Sequence, residues 1–146
     1  NLTSATCSTN ADSGLFTGSF GGDAGSRLEI KIRNFSTTPL TYECKQSDDN
    51  VDGDVGLKYN GCMVEFSIPD PTKINTYDMH RPVESIQGFT YNKVCTVTTT
   101  YTAPKVTLTV ACAGMVQTIY QGAARNPLDT AVTGSVNSAT SVGCNI

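Results

Sequence analysis

Tryptophan is absent from this 146-residue chain, and histidine occurs once, at His80. A single imidazole cannot build a histidine-rich metal centre. Charge is scarce too: 16% of residues are charged, and the formal net charge is −3. No basic run is present, so the electrostatic footprint for nucleic acid or an anionic lipid surface is missing. No apolar run approaches the ~20 residues of a membrane-spanning helix. No two cysteines form a C-x-x-C pair, which removes the commonest zinc spacing. No G-x-S-x-G marks a nucleophile elbow. Apolar residues nowhere recur convincingly at helical spacing, so little helix is expected.

What is present is cysteine, glycine, threonine, serine and asparagine. Six cysteines, an even number, read as the disulfide framework of a secreted protein. Two N-glycosylation sequons fit a secretory route: Asn1-Leu2-Thr3 and Asn34-Phe35-Ser36, with Asn34 as the candidate acceptor. The start at Asn1 is what a mature product shows after removal of a signal peptide. The length suits one domain with a real core.

The clearest local pattern surrounds Ala103-Pro104. Cys95, Val97, Thr99 and Tyr101 alternate before it, and Val106, Leu108, Val110 and Cys112 alternate after it. Folded as a hairpin, these pair as Tyr101 with Val106, Thr99 with Leu108, Val97 with Val110 and Cys95 with Cys112. All eight then share one face, and Cys95–Cys112 becomes a natural cross-strand bridge.

Other strands follow from the same alternation. Leu15 to Phe20 is a short strand candidate. Leu28, Ile30 and Ile32 alternate with charged residues over Arg27 to Arg33. Leu40, Tyr42 and Cys44 form one apolar face, and Cys62, Val64, Phe66 and Ile68 form another, so Cys44–Cys62 would close a second hairpin. Ile74 to Met79 and Val83 to Ile86 are further candidates. Met115 to Tyr120 would continue the ribbon past a bulge at Gly114, and Ala131 to Val136 is a candidate edge strand. The polar segments 1–14 and 121–146 are expected to be loosely structured and tied by Cys7–Cys144. Spacing alone does not fix connectivity. The strand pattern favours Cys44–Cys62 and Cys95–Cys112, which leaves Cys7 with Cys144. The expected fold is all-β: a single antiparallel barrel or sandwich stapled by three disulfides.

Few residues suggest chemistry. Asp48, Asn50 and Asp52, followed by Gly53, begin a calcium loop, but Tyr59 stands where its closing glutamate belongs. A solvated turn is the plainer reading, and neither metal nor cofactor is assigned. His80, near Asp78 and Arg81, has no flagged nucleophile and reads as a turn histidine. Glu29, Glu43 and Glu65 fall at outward strand positions, where carboxylates are usually solvated rather than paired for glycoside hydrolysis. No catalytic residue is assigned. Tyr42 and Tyr101 belong to the core. Gly88 to Lys93, with Phe89 and Tyr91, is the first place to look for an exposed contact.

Leu40-Thr41-Tyr42-Glu43-Cys44, Cys62-Met63-Val64-Glu65-Phe66-Ser67, and then Cys95 and Cys112 resemble the Alt a 1-like proteins, small secreted proteins of ascomycete fungi. The resemblance covers residues 15 to 121 and lies in cysteine order and strand pattern. It implies a β-barrel, an extracellular location, no established enzymatic activity, and contact with a host plant surface or apoplastic component, protein or glycan. Members of the family elicit plant defence and cell death. In the family an early cysteine can build a covalent dimer. Here Cys144 is a same-chain partner for Cys7, so a monomer or weak dimer is expected. The function this implies is a secreted, non-catalytic elicitor. The alternatives are a secreted carbohydrate-active hydrolase or binding module and, third, a protease inhibitor.

Overall fold

The computed structural model describes residues 2–46, 59–69, 74–78, 95–121, 124–127 and 135–146. Among the described residues it is nearly all antiparallel β, arranged as a nearly closed eight-stranded barrel. The strands are β1 (Leu2–Asn10), β2 (Leu15–Gly22), β3 (Arg27–Ile32), β4 (Leu40–Gln46), β5 (Tyr59–Pro69), β6 (Ile74–Asp78), β7 (Cys95–Thr102), β8 (Lys105–Gln121), β9 (Ala124–Pro127) and β10 (Ser135–Asn145). Their order around the barrel is β1-β2-β3-β5-β4-β7-β8-β10. β6 pairs with both β5 and β8, and β9 pairs with β8.

The β7–β8 hairpin has the expected register throughout, from Tyr101 opposite Val106 to Cys95 opposite Cys112. Alternation also places the barrel interior. Phe16, Phe20, Ile30, Ile32, Tyr42 and Val64 turn inward and are buried, as do Val97, Val106, Leu108 and Val110. Gly18 lies between two of these rings. A Cβ there would stand 2.8 Å from the Phe20 ring and 3.1 Å from that of Phe16, so only glycine leaves room for both.

Two expectations need correction. The segment 1–14 is largely strand: β1 pairs along β2 from Leu2 opposite Gly22 to Asn10 opposite Leu15. In the segment 121–146, the described stretch Ser135–Asn145 is not loose either, because as β10 it pairs along β8 as far as Asn145 opposite Lys105. Backbone ladders hold both strands, and a ladder does not need apolar side chains. Among the described residues no ladder joins β1 to β10. That seam is crossed by Cys7–Cys144, with Cα atoms 5.9 Å apart. The expected bulge at Gly114 does appear. The register shifts between Val136 and Ser138, which sets Ala113 and Gly114 opposite the single residue Asn137.

The other bridges are Cys44–Cys62 and Cys95–Cys112, with Cα atoms 4.2 Å and 4.1 Å apart. Cys44 stands directly opposite Cys95 in the β4–β7 ladder, and Cys95 opposite Cys112 in the next. Four half-cystines therefore line up across β5, β4, β7 and β8 as a belt of two end-to-end staples.

Candidate functional site

The barrel has unlike ends. At one end the chain between β3 and β4 folds across the interior. Phe35 stacks on Phe16 with ring centroids 4.9 Å apart. The Phe35 N–H donates to the Gly14 carbonyl at 2.9 Å, which ties this turn to the β1–β2 turn. The Tyr42 hydroxyl accepts the Ser36 N–H at 2.8 Å and donates to the Asn34 carbonyl at 3.4 Å. This end is plugged.

Among the described residues the other end holds a cavity of about 480 Å³ that opens to the surface. Its wall is apolar: Phe20, Leu28, Val64, Phe66, Val110 and Val142, from β2, β3, β5, β8 and β10. Cys112 also lines it, and Leu2, more than half exposed, stands at the rim. The rim is otherwise polar, with Ser26, Arg27, Thr140 and Ser141. Ser26 is positioned by a short 3-10 turn, Asp23–Gly25, whose ends are closed by Gly22 N–H donating to Ser26 O at 2.7 Å. Arg27 donates from Nε to Ser19 Oγ at 2.9 Å and pairs through Nη2 with Glu29 Oε1. The volume lies within the ~300–1,000 Å³ of small-molecule sites, and barrel mouths are a common place for them.

No known protein family, curated protein or solved structure matches this chain.

The residues singled out by sequence fall as follows. Cys7, Cys44, Cys62, Cys95, Cys112 and Cys144 form three bridges, and no described cysteine is free. Asn34 is exposed in the β3–β4 turn with φ at 53°, a left-handed conformation that asparagine tolerates. Asp48, Asn50 and Asp52 lie outside the described residues, as do His80, Arg81 and the Gly88–Lys93 segment. Tyr42 is buried and Tyr101 packs against the core. Glu43 is exposed and Glu29 half-buried, but Glu65 is not the solvated carboxylate that alternation predicts. It points away from the barrel axis yet is only 5% exposed, and its neighbour Met63 is buried on the same face. Alternation tells which side chains share a face, not whether that face is covered. Glu65 stands opposite Glu29 on β3 and opposite Asp78 on β6.

Sequence reasoning missed the cavity. Most of its wall, Phe20, Leu28, Val64, Phe66 and Val110, falls in strands that the sequence suggested. Val142, with Leu2 and Thr140 beside it, comes from segments whose composition suggested no regular structure. The available signal was the alternation of Thr140, Val142 and Cys144 with Ser141, Gly143 and Asn145.

Proposed function

We propose that this protein is a secreted, non-catalytic binding protein that elicits plant defence by engaging a host surface or apoplastic component. The observation that carries the reading is the belt of half-cystines. The cysteines on which the resemblance to the Alt a 1-like proteins rests, Cys44, Cys62, Cys95 and Cys112, sit side by side on adjacent strands of one barrel. Three disulfides in so small a β domain are compatible with an extracellular protein. No helix among the described residues is long and apolar enough to cross a membrane. Cys7 is bonded within its own chain, so it is not available for a covalent dimer, and a monomer or weak dimer is the corresponding proposal.

Infiltration of the purified protein into leaves tests this. An oxidative burst is expected from the native protein and none from reduced, alkylated protein. Silence of the native protein across a panel of plants overturns it. A second reading, a secreted carbohydrate-active hydrolase, draws on the buried Glu65 set directly opposite Glu29. Turnover of a glycan substrate that disappears in Glu65→Gln would establish that reading in place of the first.

A further inference from the structure

We infer that the open mouth of the barrel is a binding site for one uncharged, single-headed lipid, of the long-chain alcohol or sterol kind. This inference does not rest on the elicitor reading.

Residues of six strands line the cavity, so it is a recess rather than a flat patch, and a small molecule fits it better than a protein surface does. At the far end Phe35 stacks on Phe16, away from the cavity lining. Phe20, Leu28, Val64, Phe66, Val110 and Val142 offer no hydrogen bond. A sugar or peptide would have to leave its polar groups unpaired against them, at a large desolvation cost. A hydrocarbon body would instead remove the partly exposed faces of Leu28, Phe66 and Val142 from water.

The rim sets the head group. Its cation, Arg27, is already neutralised by Glu29 and bonded to Ser19. A carboxylate or phosphate would have to displace Glu29 or sit beside it as a like charge. At the rim the Thr140 hydroxyl can donate or accept, and the Ser26 hydroxyl, which donates to the Asp23 carbonyl at 3.0 Å, can still accept, so the two suit a hydroxyl head.

The test uses the whole, oxidised protein and the uncharged fluorophore N-phenyl-1-naphthylamine. Its fluorescence should rise on binding. Displacement by 1-dodecanol should be at least tenfold more effective than displacement by dodecanoate at pH 8. Thr140 is exposed and lines the mouth, so Thr140→Trp should weaken probe binding at least tenfold. Val142→Thr keeps the wall's shape and adds a hydroxyl, and should weaken binding several-fold. Thr109, exposed on β8, does not line the cavity, and Thr109→Trp should bind like the parent. Absence of any fluorescence gain with the parent protein overturns the site. So does parental affinity in whichever of Thr140→Trp and Val142→Thr is folded. Equal displacement by dodecanoate overturns the uncharged head.

Discussion

A single methyl group at position 61 would test how tightly the barrel is built. Gly61 has φ at +69°, and a Cβ built there would fall well inside contact distance of the Glu43 carbonyl oxygen. That oxygen belongs to the backbone of β4, held by its own ladder to β7, so it cannot swing away. Left-handed strain costs about 1–2 kcal/mol for a side-chain-bearing residue, and crowding adds about as much again. Gly61→Ala is therefore expected to destabilise by about 3 kcal/mol, read as a lower urea midpoint with an unchanged slope. Asn34 poses the opposite case at the residue scale. Its left-handed backbone suits asparagine, and its side chain is exposed in a turn. Expressed through a secretory route, the protein should carry a glycan there. Asn34→Gly keeps the backbone conformation and should remove the corresponding mass with little loss of stability, whereas an unchanged mass would show the sequon is unused. At this scale the sequence was legible wherever a side chain's fate depended on its own strand, as for Ile30 and Tyr42. It was not legible for Met63 and Glu65, whose burial depends on what covers the outer face of β5.

At the scale of elements, strands with one apolar face declared themselves, while β1 and β10 did not. β1 is exposed at nearly every position, and its described core contact is Cys7. Such a strand is held by ladder hydrogen bonds to β2 and by one sulfur bridge to β10, so its stability should be local. Removing the bridge in a Cys7→Ser, Cys144→Ser double variant lifts the constraint on a 137-residue separation. The chain-entropy model assigns such a loop about 5 kcal/mol, against about 3 kcal/mol for each short one. The expected outcome has two parts. The melting temperature falls, and amide exchange accelerates first along Ala5–Thr9 of β1, while β3 and β5 keep their protection. Uniform acceleration in all strands would show instead that the seam is part of the global folding unit. The same opening would widen the cavity between Leu2 and Val142, so probe affinity at the mouth should fall together with β1 protection.

For the molecule as a whole, alternation and cysteine parity announce the fold class, but not how the sheet closes. Beside the β1–β10 seam there is a second junction, β6, a five-residue strand that bridges β5 and β8 at one end, while β4 and β7 span the same gap at the other. β5 is its neighbour in sequence, but no pattern within Ile74–Asp78 specifies the distant β8, where Thr76 stands opposite Thr118. Such non-local pairing forms late and at high entropic cost. The bridges offset that cost by shrinking the unfolded ensemble. On the chain-entropy model the three together contribute about 11 kcal/mol, while a domain's whole stability is about 5–15 kcal/mol. The apolar content of 38% leaves little surplus from burial to replace them. The fully reduced and alkylated chain is thus expected to lose its β-type circular dichroism at 25 °C and to release any bound probe, whereas either short bridge removed alone should leave a folded barrel of lower melting point. A reduced chain that kept a native spectrum would mean that ladder and core suffice, and that the sulfur belt answers to a harsh external environment rather than to the needs of folding.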